Sequence, residues 1–191
     1  MARLKKKGLV KSTDAYQKVL FWFFSFPDKE MSLNDLSQEL RISKTTANRV
    51  VLDLVNMGFL KLEVLGRIWR IFCNKIHIYN YSRKISYNLM MVYESGVLDE
   101  IHKLVQSPGS IILFGSYRKG DDNENSDLDM AVEVINNDEP KILELTTLKN
   151  FGYRKNVKVN LYIFSRNKID LNLFANIANG IVLEGFLEVR P

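Results

Sequence analysis

Cysteine is all but missing from this chain of 191 residues, Cys73 being the only one. An internal disulfide is thereby excluded, and a lone thiol fits a reducing cytosol. Histidine is nearly as scarce: His77 and His102, with no second cysteine to join them, do not make a structural zinc site. Long hydrophobic runs are missing too. The longest, Val19–Phe24, continued by Ser25 and Phe26, falls far short of a membrane span. The opening MARLKKKGLV is basic, but Lys11–Lys18 is polar and no small-residue cleavage site follows Phe26. No signal peptide is expected, and the expected setting is cytoplasmic, without membrane contact.

What is present suits a globular protein with real cores: 46% of residues are hydrophobic and 26% charged. The net charge of +5 is unevenly spread. Residues 1–84 carry 16 Lys or Arg against 7 Asp or Glu, whereas residues 85–191 carry 11 against 15. A basic half followed by an acidic half predicts two modules with different partners, a polyanion for the first and cations for the second.

In the basic half, residues 1–12 read as a basic tail. Thr13–Phe26 then has the broad apolar stripe of a buried helix, closed near Pro27. Ser32 is placed to cap a second helix, with Asp35 three residues on and Leu33, Leu36 and Leu40 on one face. Ser43 can cap a third helix running to about Met57 and ended by Gly58. Its Ala47, Val50, Val51, Leu54 and Val55 point inward, leaving Lys44, Thr45, Asn48 and Arg49 outward. Two short strands, Phe59–Leu65 and Ile68–Asn74, join at Gly66-Arg67 as a hairpin.

The stretch SLNDLSQELRISKTTANRVVLDLVNMGFLKLE resembles the helix-turn-helix and wing entry of winged helix-turn-helix domains, here spanning 13–75. That resemblance implies binding of double-stranded DNA, with the third helix in the major groove. Ser43, Lys44, Thr45, Asn48 and Arg49 then face bases and phosphates, while Lys61, Arg67 and Arg70 on the hairpin add phosphate contacts. Two blander readings stay open, a solvated basic surface and a protein-docking module.

Residues 76–106 read as one long connecting helix, or two interrupted at Gly96, able to pack on a second subunit as a homodimer or hetero-oligomer. Its tyrosines at helical spacing read as core rather than base-stacking groups. Ser107-Pro108-Gly109 marks a boundary.

The second module opens with IILFGSYRKGDDNENSDLDMAV, residues 111–132. Ser110–Phe114 is a strand candidate that breaks at Gly115-Ser116, and Leu128–Val134 is a second strand entered through Ser126-Asp127-Leu128-Asp129. Residues two apart on a strand face the same way, so Asp127 and Asp129 project together, about 6–7 Å apart, and can share divalent cations. Gly115 lets backbone amides approach an anion, and Ser116 adds a hydroxyl.

Gly-Ser, ten residues, then Asp-x-Asp resembles the signature of the polymerase-β-like nucleotidyltransferase superfamily. The length is similar to its minimal branch, which includes antitoxins paired with HEPN-domain toxins, and the tail NIANGIVLEG resembles that branch's closing helix. The resemblance implies an α/β fold with a mixed sheet and flanking helices over 107–191. The whole chain is then an α+β protein of two domains. It implies Mg²⁺ or Mn²⁺ on Asp127 and Asp129, and a nucleoside triphosphate, ATP foremost, held at Gly115 and Ser116; Arg118 and Lys119 can add charge to the triphosphate, a plain surface role being the equal alternative. A nucleoside monophosphate passes to a hydroxyl, that of a HEPN-type partner protein or of a nucleic acid.

The family's third carboxylate falls on the strand Val157–Phe164, where this chain has Asn160. An amide there costs the site one negative charge and a base. Glu133, about 13 Å along its strand from Asp129, and Asp170, beyond the strand, are poor substitutes. Three readings follow: transfer with a substitute base, nucleotide and metal binding without chemistry, or an engineered Asp→Asn change.

Overall fold

The computed structural model describes residues 14–66, 68–135 and 139–189; the basic tail and Arg67 lie outside them. Helix α1 (Asp14–Ser25) buries Val19, Leu20, Trp22, Phe23 and Phe24 and stops short of Pro27, which cannot continue a helix. A two-residue strand, β1 (Glu30–Met31), follows. Helix α2 (Leu33–Glu39) starts at Ser32, whose hydroxyl accepts from the Asp35 amide at 3.2 Å and donates to the Asp35 carboxylate at 2.7 Å. Helix α3 (Lys44–Asn56) is capped by Ser43, which accepts from the Thr46 amide at 3.1 Å.

At the far end of α3, Gly58 has φ +81°, a left-handed conformation that glycine adopts without a Cβ penalty. Its amide donates to Val55 and that of Phe59 donates to Leu54, closing the helix and carrying Phe59 into the core beside Leu54. Strands β2 (Leu60–Leu65) and β3 (Ile68–Cys73) form the expected hairpin, and β1 adds to the outer side of β3. The first part thus runs helix, strand, helix, helix, strand, strand around one core.

After a 3-10 turn (Ile78–Tyr81) the connector is two helices, α4 (Arg83–Glu94) and α5 (Val97–Leu104), broken at Gly96. They do not hang free. Tyr87 of α4 packs in the first core and shares a 2.8 Å hydrogen bond with Ser25, whereas Val92, Val97 and Ile101 pack on the second part.

That second part is a five-stranded mixed sheet of order β6-β7-β5-β4-β8. Its strands are β4 (Ser110–Phe114), β5 (Leu128–Glu133), β6 (Lys141–Phe151), β7 (Arg154–Phe164) and β8 (Ile181–Gly185). Only β5 and β7 run parallel; the other pairs are antiparallel. One face, with Ile111, Leu113, Leu128, Met130, Val132, Val159 and Leu161, packs on α4, α5 and the short α6 (Gly115–Lys119). The other, with Ile112, Phe114, Ala131 and Phe164, packs under α7 (Leu171–Ala178).

The tail departs from expectation. In NIANGIVLEG the helix ends at Ala178, and Ile181–Gly185 is an edge strand paired with β4. Gly180 is a poor helix former, and the β-branched Ile181 and Val182 find an open strand edge in β4. Among the described residues there are seven α-helices, and no helix is long and apolar enough to cross a membrane.

Candidate active site

Three strands meet at the site. Phe114, the last residue of β4, is opposite Asp129 on β5, and Asp129 is in turn beside Asn160 on β7. The chain leaves β4 at Gly115 with φ +70°, and a Cβ there would come within 2.5 Å of Asp129 Oδ2. Glycine is thus required twice, for its backbone angle and for the space the carboxylate takes. The Gly-Ser turn and the acidic pair share one mouth.

Asp127 is exposed just before β5, and Asp129 is half-buried within it. The Asn160 amide nitrogen donates to Asp129 Oδ1 at 3.2 Å and lies 3.5 Å from Asp127 Oδ2, so both carboxylates converge on one side chain. Burial pushes the Asp129 carboxyl above its ordinary value; the bond from Asn160 opposes this and the charge of Asp127 adds to it. Nearby, Tyr162 meets Phe114 edge to face, ring centroids 5.0 Å apart, and burial and then Asp129 raise its phenol pKa.

The donor set fits a hard divalent ion. Among the described residues no three His, Cys, Asp or Glu side chains gather as a metal cluster would. Two carboxylates are nevertheless enough for Mg²⁺ or Mn²⁺ when substrate phosphates and water fill the other positions. Turning the Asn160 amide over would offer its oxygen as a third donor in place of the nitrogen.

Not every expected residue sits at this mouth. Ser116 is the second residue of α6, whereas Arg118 and Lys119 lie in its last turn. Glu133 is no substitute base: it is buried at the other end of β5 and paired with Arg166 at 2.6 Å. Asp170 caps α7, accepting from the amides of Asn172 at 2.9 Å and Leu173 at 3.1 Å.

Sequence reasoning missed a buried polar cluster under the loop from Gly120 to Asp127. Lys84 on α4, Asp122 on the loop and Arg154 on β7 are 1%, 2% and 5% exposed, too deep for a solvated charge run. Lys84 Nζ stands 3.3 Å from Asp122 Oδ1 and donates to the Asp122 carbonyl. Asn88 donates to Asp122 Oδ1 at 2.8 Å and to the Tyr117 carbonyl at 2.9 Å. Arg154 donates to the Tyr117 hydroxyl, to the Ser126 carbonyl at 2.6 Å and to the Glu124 carbonyl at 3.2 Å. Burial pushes the Asp122 carboxyl up and the Lys84 ammonium down, and their mutual attraction opposes both shifts. Charges at scattered positions leave no local pattern that announces such a cluster.

In the basic half, Lys44, Thr45 and Arg49 are exposed along the start of α3, and Asn48 lines a groove with Ser32, Asp35, Lys44 and Trp69. Ser43 is engaged as the cap. Lys61 and Arg70 are exposed on the sheet face opposite the buried Leu60 and Ile71, and Arg70 is taken up by Glu30 at 2.5 Å and Glu63 at 3.2 Å.

No curated protein matches this chain. Residues 95–176, from the end of α4 through α5 and the site to α7, match the family model of the nucleotidyltransferase domain, which supports placing this part of the chain in the polymerase-β-like superfamily.

Proposed function

We propose that the chain transfers a nucleoside monophosphate, AMP foremost, from a triphosphate to a hydroxyl, and that its first part is a DNA-binding winged helix-turn-helix domain. The observation that carries the first half is the shared mouth. The Gly115 turn lies against Asp129, with Asp127 and Asn160 at the same point of the sheet. The winged-helix reading is supported by three helices followed by a hairpin, as the resemblance implies, with cations exposed on α3; the two-residue β1 between the first two helices was not expected.

Gly115 and Ser116 hold the phosphates, and Arg118 and Lys119 add positive charge from the far turn of α6. Asp127, Asp129 and the Asn160 amide oxygen would hold Mg²⁺ or Mn²⁺, which when bound neutralises charge on the reacting phosphate. The side chains then position the reactants. They align the acceptor hydroxyl so that its oxygen bonds to the α-phosphorus while the bond to the β-phosphate oxygen breaks and pyrophosphate leaves. The hydroxyl proton cannot go to Asn160. Of the three side chains only Asp127 and Asp129 can accept it. The acceptor we favour is a tyrosine of a HEPN-type partner, an antitoxin role in the cytoplasm, with the connector as the subunit contact.

Labelled ATP with Mg²⁺ or Mn²⁺ and candidate acceptors tests this. Transfer that disappears in Asp129→Ala supports it; no transfer even after Asn160→Asp overturns it. One observation favours a second reading, a DNA-binding regulator whose degenerate site senses a ligand or serves dimerisation. Asn160 already satisfies both aspartates by hydrogen bonds, as a resting binding site would.

A further inference from the structure

The loop from Gly120 to Asp127 joins the phosphate turn to the acidic pair and has no regular structure of its own. A loop this polar would ordinarily be solvated and mobile. Here three of its backbone carbonyls, those of Asp122, Glu124 and Ser126, accept from cations outside the loop, Lys84 on α4 and Arg154 at the first residue of β7. The Tyr117 hydroxyl donates to the Ser126 carbonyl as well, at 3.4 Å, and accepts from Arg154. Inside the loop the Ser126 hydroxyl accepts from the Asn123 amide at 3.0 Å. The peptide that Arg154 grips most closely, at 2.6 Å, is the one leading into Asp127.

The geometry points to Arg154, seconded by Tyr117, as a positioning residue that fixes where the Asp127 carboxylate stands and so sets the metal affinity of the site. This rests on the metal-site reading above and adds to it a residue with no metal contact. The argument is one of freedom. Asp127 is exposed and precedes β5, so the sheet ladder that holds Asp129 does not hold it. Its backbone is fixed from the preceding side, by the Ser126 carbonyl. A guanidinium suits that task because its planar fork can serve two carbonyls and a phenol at once, which a lysine ammonium on a flexible stem does not reproduce. Pairing with Asp122, 4.0 Å away, neutralises part of the charge this brings into the interior.

The test is Mn²⁺ affinity of the full chain, measured by the spin resonance of free Mn²⁺ without nucleotide, so that no activity is needed. Partners that orient metal ligands typically account for about 10–100-fold in affinity. Arg154→Lys should weaken Mn²⁺ binding by about tenfold or more, and Tyr117→Phe, which keeps the ring against Phe151, by a smaller factor in the same direction. Glu133→Gln is the control for stability alone. It breaks the Arg166 pair at the other end of β5 and should lower the melting temperature without moving Mn²⁺ affinity. Wild-type affinity in a folded Arg154→Lys overturns the proposal. If that variant does not fold, wild-type affinity in Tyr117→Phe does so. Affinity loss in Glu133→Gln that tracks its loss of stability also overturns it, because the effect is then merely structural. Asp129→Ala separates the two claims: Mn²⁺ binding that survives it refutes the metal site itself, whereas binding lost there but intact in the Arg154 and Tyr117 variants refutes only the positioning role.

Discussion

Asn160 stands beside Asp129 across the parallel β5–β7 pair, and its amide nitrogen donates to the Asp129 carboxylate at 3.2 Å. The same nitrogen lies 3.5 Å from Asp127. A neutral side chain thus quiets two converging negative charges where a carboxylate would repel them. Asn160→Asp should therefore cost stability in the absence of metal, about 1.5–3 kcal/mol for the lost bond to a charged group, with the new like charge adding to it. Mg²⁺ should return that stability, because an ion that binds only the folded state stabilises it by mass action. Melting curves in chelator and in Mg²⁺ check this; a variant that melts like the parent in both leaves Asn160 without an electrostatic role.

Gly115 and Gly66 both have positive φ, +70° and +62°, but only Gly115 has a neighbour where a Cβ would go. Alanine at either position costs about 1–2 kcal/mol of backbone strain. At Gly115 it must also displace the Asp129 carboxylate, 2.5 Å away. Gly115→Ala should exceed Gly66→Ala in destabilisation and alone impair Mn²⁺ binding. Denaturant midpoints and Mn²⁺ titration separate the two, and equal losses count against the shared mouth.

The acidic pair was legible because its cause is local. The Asp-x-Asp spacing puts Asp127 and Asp129 close together even though Asp127 stands just before β5, and Asn160 was placed by the family resemblance, which puts a third carboxylate on Val157–Phe164. Strand β6 was not legible. Its Ile142 and Leu143 are adjacent, most of its residues are exposed on a sheet edge, and its pairing shifts register between Glu144 and Thr146. Strand β1 is two residues long and exists only because β3 offers an edge. Strand β8 was hidden in what read as a helix. The Lys84–Asp122–Arg154 cluster is tertiary throughout: the ends of its bonds are far apart in sequence, and each charge alone reads as surface.

Cys73 is buried in the first core, its thiol donating to Asn80 Oδ1 at 3.8 Å. Burial pushes its pKa up to about 11, with the Asn80 bond opposing. The folded chain therefore keeps its proton where the unfolded chain, near 9.0, has lost it. The stabilisation is complete below pH 9 and is lost as the pH rises towards 11, roughly 3 kcal/mol over the two units. At pH 8 the native thiol should resist a disulfide reagent that labels it at once in denaturant. Rapid native labelling would show that the first core opens readily.

Arg49 and Arg70 were both expected at DNA, and they differ in what engages them. Arg49 is exposed on α3 near its start, whereas Arg70 lies on the opposite face of the hairpin, held by Glu30 and Glu63. Bringing Arg70 to a phosphate means breaking a two-carboxylate pair and placing two acids beside the phosphodiester backbone. If the first part binds duplex DNA through α3, Arg49→Ala should weaken binding and lower the slope of log affinity against log salt by about one, the signature of one lost phosphate contact. Arg70→Ala should leave that slope unchanged and, by freeing the Glu30 and Glu63 charges, weaken binding slightly at low salt without changing the number of phosphates contacted. Binding isotherms across salt concentrations decide the matter: a slope that falls for Arg70→Ala and not for Arg49→Ala would move the DNA face from α3 to the back of the hairpin.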